Sequence, residues 1–408
     1  MRRFATMLVV LLLIAAPAMV FGSAQPETEA PEQEMDMGPT PGVTDEEVLL
    51  GTFQALSGPV ASIGVPVANG IRAYLNWVNA NDGVAGRQIR LEVADDAFDP
   101  SRTTVEVRRL VEEDEVFALV AGLGTPGNLA VMDYLEEQGV PHVYQASGSG
   151  LLTNPPKENI FAVQPNYTVE GEIMVRYLVE ERGFENIAMV YRNLDDGNEL
   201  RSAVVATMEE YGLELTNDIA IDPAAQDFSA SLVQISNADP DVIIMGLFLP
   251  QSSNFIVQAK ELGLEDQEYL LTYSNADATF IALAQGQAAG AESMAWVDVD
   301  FTDETLPIFE VYQETFPGEI PNAFAVAGMI AAEVAVEGLR IAGEDLTRES
   351  YRRALESMDS FTGVAAEGIG FRPYDPNDPA SRIGLQQMYV LRLEDGTWVR
   401  ASDWISIE

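Results

Sequence analysis

Residues 48–56, VLLGTFQAL, are followed by 65–81, VPVANGIRAYLNWVNAN, and by 89–93, IRLEV, and this order decides the fold. The first stretch is a short apolar run of the length of a buried strand. In the second, Ile71, Tyr74, Leu75 and Val78 recur at helical spacing and share one face. The third is another strand. The alternation continues with a helix over 101–113, a strand over 118–121, a helix over 127–138 and a strand over 142–144. Strands alternating with amphipathic helices predict a parallel sheet covered by helices on both faces.

The pattern then restarts. A helix over 167–181 leads into a strand over 187–191, a helix over 199–211 and a strand over 213–221. A helix over 228–237, a strand over 242–246, a helix over 253–262 and a strand over 269–272 follow, which predicts a second α/β unit. Helices are expected at 305–315, 323–342 and 348–357. The chain closes with strands over 386–393 and 397–401, joined as a hairpin at Asp395-Gly396.

Composition narrows the function. The 408 residues carry 65 acidic and 22 basic side chains, a formal net charge of −43. That balance argues against nucleic acid and anionic membrane surfaces as partners. It suits either a salty habitat or a lineage of acidic proteins. Lys157 and Lys260 are the only lysines, and there is no cysteine, so disulfides, thiolate nucleophiles, Cys-based metal sites and a lipid anchor on cysteine are excluded. Arg2 and Arg3 precede an apolar run over 7–16, Pro17 interrupts it, and Gly22-Ser23-Ala24 offers a cut before Gln25. Residues 1–24 therefore read as a signal peptide, and 25–44, rich in Pro and Glu without aromatics, as a disordered acidic tether. No second apolar run is long enough to span a bilayer, so an exported, soluble mature protein is expected. His142 is the only histidine and falls in an expected strand. No Ser-His-Asp set, metal-ligand cluster, phosphate-cradling glycine motif or dinucleotide fingerprint is present, so no enzyme, metal or cofactor is expected.

Three stretches in series carry a family likeness: Ala55–Gly64 (ALSGPVASIG), Asn76–Arg87 (NWVNANDGVAGR) and Ala94–Pro100 (ADDAFDP). In this order and spacing they resemble the type I periplasmic binding proteins, within them the branched-chain amino acid-binding family that feeds ABC importers. The resemblance covers essentially all of the chain after the tether. Residues 122–130 (GLGTPGNLA), 140–148 (VPHVYQASG) and 164–167 (QPNY) look like a subgroup that takes up aromatic and other apolar carboxylates. The resemblance implies two doubly wound α/β lobes joined by three crossovers, one built from 45–165 plus 298–383, the other from 166–297 plus 384–408. It further implies a periplasmic monomer that binds a small molecule between the lobes, closes on it by a hinge and docks on membrane permease subunits. A ligand sensor signalling to a membrane receptor is the other role open to such a chain.

Site residues follow from the same likeness. Thr125, after Gly124 and just before a helix, aligns with a family hydroxyl that binds the ligand carboxylate, where free backbone N–H groups also favour an anion. Its plain alternative is helix capping. Ser147 and Gly148, flanked by Gln145 and Ser149, align with a second carboxylate loop in which the hydroxyl has moved one position earlier; an ordinary Gly/Ser turn is the alternative. Ser274, next to Asn275, stands where amino acid receptors keep a glutamate for the ligand ammonium, and a buried ammonium without a carboxylate is costly. Asp196 replaces a ligand-facing tyrosine, and either supplies that missing charge, binds a ligand hydroxyl or caps the helix expected at 199. Phe248 and Ile63 replace a tyrosine and another aromatic, which favours an apolar ligand body, with core packing as the alternative for each. A small acid, aromatic or otherwise apolar, is the expected ligand, with a branched-chain or other amino acid as the alternative.

Overall fold

The computed structural model describes residues 40–407 apart from Pro59, Thr302 and Glu304. The expected signal peptide and the tether up to residue 39 lie outside these. The end of the stretch expected in the tether is bonded to the first strands instead, although Pro41 and Thr44 are exposed. Val43 forms a bridge with Val48, the Gly42 carbonyl accepts the Leu49 N–H at 2.8 Å, and Arg87 Nε donates to the Thr44 carbonyl at 2.7 Å.

The first α/β unit runs β1 (Glu47–Gln54), α1 (Ala61–Ala80), β2 (Gln88–Asp95), α2 (Pro100–Glu112), β3 (Ala118–Gly122), α3 (Thr125–Glu137), β4 (His142–Val143) and β5 (Ile160–Phe161). Its strands form one parallel sheet in the order β2-β1-β3-β4-β5. The second unit runs α4 (Tyr167–Arg176), β6 (Ile187–Arg192), α5 (Asp195–Glu210), β7 (Asn217–Ile221), α6 (Ser229–Ala238), β8 (Val242–Gly246), α7 (Gln251–Glu261), β9 (Glu268–Leu271), α8 (Ala278–Leu283) and β10 (Glu292–Ala295). Its parallel part, β7-β6-β8-β9-β10, repeats the strand order of the first sheet. Both units are therefore doubly wound, and in each the order reverses beside the first strand.

The chain then returns to the first unit as α9 (Pro307–Thr315), α10 (Ala323–Ala342) and α11 (Arg348–Glu356). Arg348 of α11 donates to the carbonyls of Val116 and Phe117 at the start of β3. A final passage adds β11 (Gln387–Glu394), antiparallel to β10, then β12 (Thr397–Arg400) and β13 (Ile405–Ser406). Asp395 and Gly396 both have positive φ, the geometry that a two-residue hairpin needs. The chain crosses between the two sheets three times. This is the two-lobed, doubly wound α/β architecture expected from the sequence.

Periodicity places the start of α1 at Val65, but the helix begins at Ala61 and carries Pro66 in its second turn. Proline lacks the N–H for one ladder bond there and usually marks a helix start, so the pattern is misleading. What holds α1 in place is a backbone-to-backbone crossing with α10. A Cβ on Gly70 would lie 1.8 Å from the Ala325 carbonyl oxygen, and one on Gly328 would lie 2.2 Å from that of Val67. Gly70→Ala should therefore cost about 3 kcal/mol or more, since the obstacle is rigid backbone. Urea denaturation checks this; an unchanged midpoint would mean that the two helices can separate freely.

Candidate ligand-binding site

In open parallel sheets the loops at the carboxyl ends of the strands converge where strand order reverses. Here two such edges face one cavity of about 410 Å³, within the ordinary range for small-ligand sites. Its lining comes from the segments that follow β1, β2, β3 and β4 on one side and β6, β8, β9 and β10 on the other, with the start of α10 and part of β11. Much of the wall is aromatic, including Tyr144, Tyr167, Tyr273, Trp296, Phe301 and Phe324.

Ile63, Gly124, Thr125, Ser147, Asp196, Phe248 and Ser274 all line this cavity. Helix α3 begins at Thr125, two residues earlier than periodicity suggests, with Gly124 as N-cap at φ 89°. A Cβ on Gly124 would meet the Phe98 ring at 2.3 Å, so only glycine fits. Glycine has no side chain to cap the helix, and no side-chain cap is present, so this helix terminus stands uncapped beside the cavity, with Pro126 contributing no N–H of its own. Thr125 is inside the helix, which removes the N-cap alternative for its hydroxyl. Its Oγ1 lies 2.7 Å from Ser147 Oγ, which also accepts the Ser149 N–H. Two hydroxyls and an uncapped helix terminus thus form one polar pole in an otherwise aromatic wall.

Gln145, Gly148, Ser149 and Asn275 do not line the cavity. Gln145 Nε2 donates to the His142 carbonyl, and Gly148 lies under the Tyr167 ring with its carbonyl accepting the Tyr167 N–H. Asn275 holds the carbonyls of Leu247 and Thr272. Ser149 faces the other lobe. These residues shape the loops from behind.

The second wall carries the charge. Helix α5 begins at Asp195, four residues before periodicity puts it, so Asp196 sits in its first turn and Leu194 is the N-cap. Asp196 stands where the N–H groups of Asp196 and Gly197 favour its charged form, yet its Oδ2 is buried without a hydrogen bond. Burial raises its pKa above the usual carboxylate range, against the pull of Arg192. Ser274 Oγ is also buried without a partner. Arg192, the last residue of β6, is the cation that sequence reading missed. Its guanidinium lies 4.5 Å from the centre of the Phe248 ring and 3.4 Å from Asp196 Oδ2. Among the described lining residues it is the only basic side chain, and Asp195 and Asp196 are the only acidic ones.

A family model described as periplasmic binding protein matches residues 47–397. The chain belongs to the periplasmic binding protein family. A Leu/Ile/Val-binding protein homologue of Brucella abortus is 24% identical over 373 residues, covering 86% of this chain and 91% of that one. Among solved structures, a fatty acid ABC transporter substrate-binding protein from Thermomonospora curvata superposes with a TM-score of 0.78 at 22% identity. It covers 91% of this chain and 95% of its own. A branched-chain amino acid ABC transporter protein from Thermus thermophilus with bound valine has the same TM-score at 21% identity, covering 88% and 97%.

The lobes of this binding protein meet through specific bonds at the rim. Ser149 Oγ donates to Glu199 Oε1 at 2.6 Å and the Gly150 N–H to Glu199 Oε2 at 2.7 Å, joining the loop after β4 to α5. Elsewhere the Ala323 N–H at the start of α10 donates to Asp277 Oδ2 at 3.3 Å. Glu199→Ala removes two bonds that exist only when the lobes are together. The variant should bind ligand about tenfold more weakly, and its ligand-free form should scatter X-rays as a more extended particle. Unchanged affinity and scattering would remove Glu199 from any role in closure.

Behind the cavity, Glu170 fixes one wall. Its carboxylate accepts the Tyr273 N–H at 2.7 Å and the Thr272 hydroxyl at 2.9 Å; the Tyr273 ring then stacks on Tyr167, and its hydroxyl accepts from Gln164. Burial, only partly offset by these bonds, pushes the Glu170 carboxyl up to about 8. The folded protein holds a proton that the unfolded chain releases near its ordinary value of 4.5. Stability from this group is therefore present at low pH and lost as the pH rises through 8. Glu170→Gln keeps the shape without the titration. The melting temperature of the parent should fall relative to this variant between about pH 5 and pH 8; a constant difference would mean that Glu170 does not titrate in this window.

Proposed function

We propose that this chain is the extracytoplasmic solute-binding component of an ABC importer that captures a small apolar acid, aromatic or aliphatic, by closing its lobes. The observation that carries this is the contrast within one cavity. A hydroxyl pair and an uncapped helix N-terminus suit a carboxylate, aromatic walls suit an apolar body, and Ser274 offers no charge to an ammonium. The fatty acid-binding neighbour is consistent with such a ligand. The lobes are assigned as 45–165 plus 298–383 and 166–297 plus 384–408, and the protein as a periplasmic monomer that delivers its ligand to permease subunits. It catalyses no reaction on the ligand.

Asp196 favours a second reading. Its oxygen without a hydrogen bond would suit the ammonium of a branched-chain amino acid, the ligand class in the names of the curated relatives.

A thermal-shift panel of phenylacetate, benzoate and octanoate against leucine, isoleucine and valine separates the two. A ligand at 100 times its Kd adds about 2.7 kcal/mol of stability, so a true ligand moves the melt by degrees. Acids are expected to shift it, and Thr125→Ala to weaken the best acid about fivefold to tenfold through loss of one charge-assisted hydrogen bond. Shifts from the amino acids alone would overturn the acid assignment.

A further inference from the structure

Among the described ion-paired arginines whose side chains are about one-fifth exposed or less, Arg192 is the most loosely held. Where Arg182 meets Glu292 and Arg382 meets Glu356, the pairs close to 2.6 Å. Arg192 and Asp196 stand 3.4 Å apart, longer than a well-formed charge-assisted bond, and Asp196 Oδ2 accepts no hydrogen bond. The aspartate has a second source of stabilisation besides the arginine, because the N–H groups of Asp196 and Gly197 at the start of α5 also favour its charged form. Phe248 holds the guanidinium from one side by a cation–π contact, and Asp196 flanks it. Arg192 itself lines the cavity, with its side chain about one-fifth exposed. A planar group with five donors, stacked on a ring and loosely paired, is organised to take a two-oxygen anion.

We infer that Arg192 determines specificity by meeting the acidic group of the ligand, and that Asp196 stands in for that group while the cavity is empty. This rests on the apolar-acid reading and sharpens it. The second lobe then contributes a cation where an amino acid receptor would need an anion, and Asp196 competes with the ligand instead of binding it. The two roles for Asp196 give opposite results on neutralisation. As a competitor, its removal strengthens acid binding. As an ammonium partner, its removal abolishes amino acid binding.

The experiment is calorimetric titration of the full-length mature protein and of Arg192→Gln, Arg192→Lys and Asp196→Asn. The probes are phenylacetate, its neutral isostere phenylacetamide, octanoate and leucine, and melting curves confirm that each variant is folded. Arg192→Gln should weaken phenylacetate and octanoate about tenfold to hundredfold while leaving phenylacetamide within about twofold. Arg192→Lys should recover part of the loss, since it keeps the charge but not the stacked plane. Asp196→Asn should tighten the acids severalfold. If the parent binds the acids and Arg192→Gln binds them equally well, the inference is overturned while the apolar-acid reading stands. If the parent binds leucine alone and Asp196→Asn loses it, both fall together.

Discussion

A parallel strand that runs into a helix leaves carbonyl oxygens at the strand end and unpaired N–H groups at the helix start, on the same edge of the sheet. In this chain two sheets of the same strand order turn that edge toward a common cavity. Most of the charged and hydroxyl groups in the cavity derive from this arrangement. The start of α3 brings uncapped N–H groups and Thr125, and the start of α5 brings a helix terminus that Asp196 already occupies. The two termini are alike in origin and opposite in state, one without a capping side chain and one carrying an internal carboxylate in its first turn.

Holding the two edges together requires the supporting helices to sit where they do. Gly70 and Gly328 allow α1 and α10 to cross with backbones in contact, so α10 starts beside the cavity and can place Phe324 in its wall. The Ala323 N–H at that same start reaches Asp277 in the other lobe. Glu170 plays the matching part in the second lobe by locking the turn that carries Tyr273 and Ser274. A cavity wall made from short loops is thus pinned by buried groups that have no part in its surface.

How much of this could be read from the sequence depended on whether helix starts carried a signal. Helix α10 follows Asn322, whose side chain caps it by accepting the Ala325 N–H, and periodicity places its ends as observed. Helices α3 and α5 begin after Gly124 and Leu194, neither of which supplies a side-chain cap, and both start earlier than periodicity suggests. Strand β10, with sequence ESMA, escaped notice because Glu292 breaks its apolar pattern. That carboxylate is buried only because Arg182, Arg392 and Tyr177 converge on it from distant parts of the chain. Arg192 was missed for a related reason, since a charge at the end of a strand looks like the first residue of a loop. Among the loop residues, alternation would have misled: Gln145, Ser147 and Ser149 are two apart and would share a face in an extended strand, yet only Ser147 lines the cavity, because Tyr144 and Ala146 take positive φ and break the pattern.

The net charge of −43 sets the last condition on how an anionic ligand can be held. At a physiological ionic strength the field of surface carboxylates decays within about 8 Å, so it opposes an anion during approach more than inside a closed cavity. Within that cavity aromatic walls lower the effective dielectric, and a local charge counts for more than a distant crowd. The guanidinium over Phe248 then gives the cavity a local cation that the surface as a whole does not offer. Asp195 and Asp196 beside Arg192 keep the empty cavity from carrying an exposed net positive charge. On the proposed reading, the attraction becomes fully available only when a ligand that brings its own negative group, and an apolar body to displace water from the rings, fills the space between the lobes.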